Sequence, residues 1–422
     1  MPTEIEDVWR REAPHVLAAL LRRGSVLEDC EDAAQEALLA AAEQWPRDGV
    51  PQNPRGWLIR VASRRLIDAH RANAARTNRE VHEETSRAVL WSERTVDHDD
   101  SLQMLVLCCH PSLSTPSAVA LTLRAVAGLT TREIAAGLLV PETTAAQRIS
   151  RAKATLRAQG ARFGTVEAAE LPQRLHAVRH VLHLIFTTGA APPSGGAVIN
   201  HDLVTEAIRL TGRLHRALPR DPETMGLLAL MLLVQARAAA RTRDGILIPL
   251  AEQDREAWDQ EKIARGVSLL EVALPNGPVG PFQLQAAIAA VHATAATLQA
   301  TDWTQIHELY RMLLTVAPSP AAELGAAIAL SELDGPAAGL EALRPLLTAR
   351  PRDHRILAAV AHLLDALESP EAADAYHRAT TLTDSIPEQR YLNAKAQQAR
   401  NRPLPHPSHA SVHAAENARN CR

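Results

Sequence analysis

Hydrophobic residues recur at helical spacing along nearly the whole chain, and no stretch alternates convincingly between apolar and polar positions at a period of two. The clearest case is 142–157, where Ala145, Ile149, Ala152 and Leu156 are separated by four, three and four residues. Ala, Leu, Arg and Glu are abundant, and only 3% of the residues are aromatic. The pattern therefore predicts an all-α protein.

The stretch 129–157 predicts two short helices joined by a tight turn. Thr130 and Glu133 have the spacing of a capping box, and Pro141 suits the start of the second helix. The turn places Leu139 where Gly is common, and a bulky residue at positive φ would be strained. Two such helices indicate a helix-turn-helix with its second helix set for a DNA groove. An ordinary helical hairpin with a solvated basic face is the alternative.

The outer face of the second helix is basic, with five basic residues and one acid between Glu142 and Arg162. Arginine, glutamine and threonine side chains bind phosphates and base edges. The candidate DNA-binding residues are Thr143, Thr144, Gln147, Arg148, Arg151 and Lys153.

The first 76 residues predict a separate helical module. Two helices occupy residues 1–45, and the second has a narrow apolar stripe beside a polar, largely acidic face formed by Asp29, Asp32, Gln35 and Glu36. That face is either solvated or a docking surface for a basic partner. Residues 44–53 are dense in Pro, Gly and Asn and predict a loop.

A basic helix follows the loop, with seven arginines and one acid between Arg55 and Arg79. Such a helix suits an electrostatic funnel for partly single-stranded DNA. Trp57 lies within the apolar pattern of this helix, and a tryptophan in that position is more typical of a core residue than of a base-stacking platform. Residues 77–100 are acidic, in contrast to the basic helix before them. Seven acids and two arginines lie between Glu80 and Asp100, and this composition predicts an acidic linker.

Composition narrows the function classes. The net charge of −3 predicts no general affinity for nucleic acid, so such affinity must be local. No apolar run reaches about 18 residues and the charged N-terminus lacks a signal-peptide core, which favours a cytoplasmic protein without a membrane partner. Four cysteines lack metal-ligand spacing, and Cys108-Cys109-His110 is more typical of a helix core. Without a phosphate-binding loop or a nucleophile motif, we expect no enzyme, cofactor or metal.

The second half of the chain predicts further helices over 171–398, one of which runs from Ala251 to Leu274 and carries Trp258. From residue 302 a period of 33–34 residues relates two helix types, 320–333 with 353–367 and 334–348 with 368–382. That period is similar to tetratricopeptide (TPR) repeats, so we expect a TPR-like α-helical array. Residues 399–422 predict a disordered tail.

Three segments in this order resemble bacterial sigma-70 factors of the extracytoplasmic-function (ECF) group. They are DCEDAAQEALLAA from Asp29, NPRGWLIRVASRRLIDAHR from Asn53 and TTREIAAGLLVPETTAAQRISRAK from Thr130. Residues 1–76 are similar to sigma region 2, and residues 101–162 are similar to region 4. LCCHPSLS, GLLALMLL, LAEQDREAWD and GPFQLQAAIAAVHA extend the resemblance to the subgroup that carries a long TPR-like C-terminal extension. Arg64 and Leu139 depart from residues frequent in the group, Asn and Gly, which bears on promoter sequence.

The resemblance implies a promoter-specificity subunit without chemistry of its own. Its implied partners are the RNA polymerase core, through the clamp of the largest subunit and the flap, and promoter DNA. The polymerase would be bound by Asp29, Asp32, Gln35 and Glu36, and the −35 element would be read by Thr143–Lys153. The −10 element would be contacted by Arg55, Trp57, Arg60, Arg64, Arg65, Asp68 and Arg71. The extension would pack on the sigma domains or bind a regulator, and so control activity.

Two rival functions stay open at this point. One is a helix-turn-helix regulator whose TPR-like half senses a peptide or protein without polymerase docking. The other is a pure interaction scaffold. A regulator of the first kind has no need of a separate module at residues 29–71.

Overall fold

The protein is described by a computed structural model that covers residues 2–23, 26–77, 101–161, 169–243, 246–275 and 277–402. These residues form eighteen α-helices and a few two-residue strands, so the all-α prediction is confirmed. The acidic linker and the tail beyond Arg402 lie outside the described residues. None of the described helices combines the length and apolar character needed to cross a membrane.

The first module consists of α1 (Pro2–Leu21), α2 (Leu27–Asp48) and α3 (Pro54–Thr77), each of which packs on the other two. Their apolar stripes meet in one core. Its fully or almost fully buried side chains include Val16, Leu20, Ala37, Leu58, Ala62 and Leu66.

The end of α2 differs from the prediction of a loop over residues 44–53. The helix continues to Asp48 and ends at Gly49, whose φ of 81° suits a residue without a Cβ. Trp45 is buried and packs edge to face on Trp57, with ring centroids 5.4 Å apart. The packing of this indole stabilises the end of the helix, where Pro46 removes one helical hydrogen bond.

The second module contains α4 (Ser101–Cys108), α5 (Thr115–Ala125), α6 (Thr131–Leu138) and α7 (Glu142–Ala158). The capping box is formed as predicted: the Thr130 N–H donates to Glu133 Oε2 at 2.8 Å, and the Glu133 N–H donates to Thr130 Oγ1 at 3.2 Å. The four predicted inward residues of α7 are all buried, and this face packs on α5 and α6. The predicted helix-turn-helix geometry therefore forms.

Five more helices follow in the first half of the extension: α8 (Leu171–Ala190), α9 (His201–Ala217), α10 (Pro222–Ala236), α11 (Gln260–Ala273) and α12 (Pro281–Thr294). Helix α10 is buried along most of its length and packs on α9, α11 and α12. Short 3-10 turns occupy Ala238–Arg241 and Leu250–Glu252.

The prediction of one helix from Ala251 to Leu274 is wrong. Trp258 lies in a turn before α11, and Asp259 caps that helix by accepting a hydrogen bond from the Lys262 N–H at 3.0 Å. Asp is a favoured N-cap residue, and its cap starts a new helix here. Trp258 is nevertheless buried, in a small core with Leu233, Ala236 and Ile263.

The remaining helices are α13 (Trp303–Val316), α14 (Pro320–Asp334), α15 (Pro336–Ala349), α16 (His354–Ala366), α17 (Ala372–Thr380) and α18 (Ile386–Arg400). Consecutive helices of this set pack on each other. The two-residue strands are β1 (Ser194–Gly195), β2 (Thr242–Arg243), β3 (Ile246–Leu247) and β4 (Asp384–Ser385), and β2 pairs antiparallel with β3.

The chain divides into two compact units. The first contains residues 1–241 with 250–300, and the second contains residues 242–249 with 301–422. Both predicted DNA-binding modules and helices α8–α12 belong to the first unit, and α13–α18 belong to the second.

Candidate nucleic-acid interface

The outer face of α7 presents most of the predicted DNA-binding residues to solvent. Thr143, Gln147 and Arg151 are exposed, and Thr144 and Arg148 are half-buried. The opposite face of the helix supplies the core. A helix that is anchored by one face and offers arginine, glutamine and threonine on the other can enter a DNA groove.

The turn before α7 contains Leu139, the residue for which the sequence predicts backbone strain. Leu139 has a φ of 53° and lies in the left-handed region. The Val140 N–H donates to the Ala135 carbonyl at 3.0 Å, and the Leu139 N–H donates to the Ala136 carbonyl at 3.3 Å. These two hydrogen bonds are those of a Schellman helix ending, which usually carries Gly at the left-handed position.

The extension lies against the same turn. A Cβ at Gly137, in α6, would lie only 3.1 Å from Leu203 Cδ1, in α9, so the helix approaches Leu203 closely. Helix α8 also packs on α5 and α6. The helix-turn-helix thus shares its core with the beginning of the extension.

Lys153 differs from its predicted neighbours on α7 because it contacts the first module. Its ammonium group forms an ion pair with Glu31 of α2, and Arg124 of α5 lies 3.8 Å from the same carboxylate. Farther along α7, Arg157 pairs with Glu28. The first and second modules are therefore in direct contact through charged groups on α2, α5 and α7.

Helix α3 exposes a second basic face. Arg60, Arg64, Asp68 and Arg71 are exposed. Trp57 is half-buried against Trp45, which agrees with its place in the apolar pattern. At the start of α3, the Gly56 N–H donates to Asn53 Oδ1 at 2.8 Å, so Asn53 stabilises the first turn of the helix.

Two arginines of α3 bind carboxylates of neighbouring helices. Arg55 Nε lies 2.7 Å from Glu12 Oε2 of α1, and Arg65 Nε lies 3.3 Å from Glu36 Oε2 of α2. On the predicted docking face of α2, Asp32 and Glu36 are exposed. Asp29 and Gln35 are half-buried. The acidic face and the basic α3 face are thus linked by the pair between Arg65 and Glu36.

The hydrophobic pattern of the sequence did not identify Glu31 as a contact between the two modules. Its side chain is only 8% exposed, between Lys153 and Arg124. The sequence did contain an indication of its burial. Glu31 occupies an apolar position of α2, four residues after Leu27 and three before Ala34, both of which are buried. A charged residue in an apolar stripe requires a partner, but its identity depends on tertiary structure.

The cysteines near these helices are buried thiols. Burial raises the pKa of Cys30 to about 12, with a further contribution from Asp29, and burial also raises the pKa of Cys109 to about 12. His110 lies 2.6 Å from Ser112 Oγ through its Nδ1 atom. Among the described residues, no group of three or more His, Cys, Asp or Glu side chains has a metal-ligating arrangement.

Comparison with known families gives matches to three parts of the chain. Residues 8–76 match the family model for sigma-70 region 2, and residues 103–156 match that for sigma-70 region 4. Residues 174–274 match DUF6596, a family of unknown function. The chain is also 39% identical over 341 residues to uncharacterized protein R00370 of Rhizobium meliloti (strain 1021), an alignment that covers 79% of this chain and 81% of that protein. The region 2 and region 4 matches contain the exposed faces of α3 and α7, respectively.

Proposed function

Because the chain belongs to the sigma-70 family, as an ECF-like RNA polymerase sigma factor, we propose that it reads promoters through α3 and α7 under the control of its C-terminal extension. The observation that carries the proposal is the pair of solvent-facing basic helices, one in each sigma region. Polymerase core and promoter DNA are the partners that these two regions imply.

In this proposal α7 reads the −35 element. Gln147, Arg148 and Thr144 reach base edges, while Thr143 and Arg151 bind phosphates. Each phosphate contact adds to the salt dependence of binding. Lys153 would join the DNA contacts only after it leaves Glu31, so its role depends on separation of the two modules.

The −10 element would be contacted by α3. Arg60, Arg64 and Arg71 supply an exposed positive surface for the backbone of a partly opened duplex. Arg55, Arg65 and Asp68 belong to the same helix, but the first two are positioned by Glu12 and Glu36. Trp57 would support this surface by packing on Trp45 rather than by stacking on a base.

Asp32 and Glu36, with Asp29 and Gln35 beside them, would bind the clamp of the polymerase, and region 4 would bind the flap. An exposed acidic helix face adds electrostatic attraction to a basic partner and raises the association rate. Because Arg65 pairs with Glu36, docking on this face would also affect the position of α3.

The regulatory role of the extension is supported by its packing on region 4. Leu203 of α9 lies against Gly137 of α6, next to the turn that orients α7. Removal of the extension would expose this contact and loosen the turn. We therefore propose that the extension sets the orientation of the −35-reading helix.

Genome-wide mapping of transcription starts after overproduction of the protein tests the proposal. New starts should share one pair of upstream elements in cells with the full-length protein. Cells with a protein that carries Arg148→Ala and Arg151→Ala should lose those starts.

A chain that ends after Gly164 should give a different output from the same promoters; equal output would contradict regulation by the extension. Binding to a palindromic site without polymerase would instead support a regulator that acts alone.

A further inference from the structure

Two arginines of the first unit lie over one buried tryptophan, and the positive charge of a third acts on one of them. Arg237 and Arg255 both lie over the ring of Trp258, with their guanidinium carbons 5.9 Å and 4.6 Å from its centroid. Arg241 follows in the 3-10 turn after α10. We call Arg237, Arg241, Arg255 and Trp258 the arginine cluster. The cluster lies far in sequence from the DNA-reading helices, and the proposed function does not use it.

Helix ends position two of these arginines. Arg255 Nη1 donates to the carbonyls of His292 and Ala295, at 2.7 Å and 2.8 Å, where α12 ends. Arg241 Nη1 donates to the Ala190 carbonyl at 2.6 Å, at the end of α8. Helix C-termini attract cations, so these contacts have a structural role. They account for one nitrogen of each guanidinium group.

Two other donors of the cluster, one on Arg255 and one on Trp258, lack an acceptor within the described part of the chain. Arg255 Nη2 and Trp258 Nε1 are buried and have no hydrogen-bond acceptor among the described residues. Buried donors without an acceptor are rare in folded proteins and cost free energy. Both donors belong to the pair of side chains that stack on each other, so they are held in fixed positions.

The positive charges of the arginine cluster repel one another. Burial lowers the pKa of Arg237 to about 10, with further lowering by the positive charges of Arg241 and Arg255. Burial and the charges of Arg237 and Arg255 also lower the pKa of His292 to about 4, so this imidazole is neutral at physiological pH. The acid next to Trp258 in sequence, Asp259, caps α11 and pairs with Lys262. The cluster therefore concentrates positive charge in a partly buried site.

We propose that the arginine cluster binds the phosphoryl group of a small phosphorylated molecule. A phosphoryl group carries up to two negative charges, which match two or more arginines, and its tetrahedral oxygens accept from several directions at once. The planar guanidinium groups, fixed on the Trp258 ring, present such donors, and the indole N–H adds another. The family of unknown function that matches residues 174–274 would then be a ligand-binding domain.

Thermal unfolding of the full-length protein tests this site. Pyrophosphate, inorganic phosphate and adenosine monophosphate are added separately at constant ionic strength, with chloride as the reference anion. A site filled at about 100 times Kd should raise the Tm by about 3 °C. The most effective of the three ligands distinguishes free phosphate from a phosphorylated metabolite.

Arg237→Met is the test variant, because it keeps the length of the side chain and removes one repelling charge. In chloride its Tm should equal or exceed that of the wild type, and pyrophosphate, phosphate and adenosine monophosphate should no longer raise it. Arg265→Met, at an exposed arginine of α11, and Arg151→Met, on the DNA-binding face, are matched controls that should keep the shift.

Isothermal titration with the best ligand should show at least a tenfold weaker affinity for Arg237→Met. The proposal is overturned if none of the three compounds stabilises the wild type, or if Arg237→Met responds like the wild type. It is also overturned if Arg151→Met abolishes the shift, because the anion would then bind at the DNA-binding face.

Discussion

Leu139 shows how one residue can contradict a local rule while the motif around it still forms. Its left-handed φ of 53° costs a non-glycine residue about 1 kcal/mol or more. The Schellman hydrogen bonds of Val140 and Leu139 impose this conformation, and the residue is exposed, at 40%. The turn therefore has ordinary helix-turn-helix geometry despite the absence of Gly at this position.

Substitutions at Leu139 should rank by backbone preference rather than by similarity of the side chain. Leu139→Gly relieves the strain and loses apolar contact, whereas Leu139→Val keeps apolar character but adds a branched Cβ in a left-handed conformation. We expect Leu139→Val to be the less stable variant by at least about 1 kcal/mol in the free energy of unfolding. Chemical denaturation of both variants measures the difference. A more stable Val variant would mean that side-chain packing, not backbone strain, dominates at this turn.

Glu31 and Glu28 provide a second comparison at the residue scale. Glu31 is 8% exposed between Lys153 and Arg124, whereas Glu28 is 48% exposed in its pair with Arg157. Glu31→Gln should lower the free energy of unfolding by about 2–3 kcal/mol, because two cations lose a buried partner. Glu28→Gln should change it by less than about 1 kcal/mol. Equal effects, measured by urea denaturation, would show that the burial of Glu31 does not strengthen its ion pairs.

At the scale of elements, the contact between α6 and α9 joins the helix-turn-helix to the extension. Ala is a better helix former than Gly by about 1 kcal/mol, so Gly137→Ala should stabilise α6 in isolation. Here the added methyl group would lie 3.1 Å from Leu203 Cδ1, which must shift to admit it. The sign of the effect therefore depends on Leu203.

A double-mutant cycle of Gly137→Ala and Leu203→Ala measures this coupling. In the wild-type background Gly137→Ala should be neutral or destabilising. In the Leu203→Ala background, where the side chain is gone, it should stabilise the protein by up to about 1 kcal/mol. An additive cycle would contradict close packing of α9 on α6.

The sequence was sufficient to predict most elements but not where several of them end. The capping box and the four inward residues of α7 were visible because helical periodicity and capping are local properties. The continuation of α2 to Asp48 depends on the packing of Trp45 on Trp57, and the position of Trp258 outside α11 depends on its cap at Asp259. The ion pairs of Glu31 and the arginine cluster join residues that are distant in sequence, so no spacing rule predicts them.

At the scale of the whole molecule, α2 and α7 touch in a way that promoter reading would not permit. By their numbering the −10 and −35 elements are about 25 base pairs apart, which is roughly 85 Å at about 3.4 Å per base pair. In this structure Lys153 and Arg157 of α7 are paired with Glu31 and Glu28 of α2. If α3 and α7 read the two elements as proposed, the two modules must separate before they contact one promoter.

Distance measurements between spin labels at Glu43→Cys and Ala154→Cys test this separation. Both positions are exposed, and the buried thiols of Cys30, Cys108 and Cys109 should resist labelling, so only Cys421 needs replacement by Ser. The free protein should give one short distance. Addition of core polymerase and promoter DNA should lengthen it by tens of ångströms. An unchanged distance in a complex that transcribes would contradict the inferred opening.

Transcription reconstituted from purified components tests the central claim most directly. Core polymerase, the full-length protein and a promoter template identified by start mapping should give one run-off product of defined length. The variant with Arg148→Ala and Arg151→Ala should give at least about tenfold less of that product. Bidentate base and phosphate contacts contribute about 1–3 kcal/mol each to the free energy of DNA binding. The matched variant Arg265→Met should keep it. A specific product that persists without the protein, or that is unchanged in the Arg148 and Arg151 variant, would contradict promoter reading by α7.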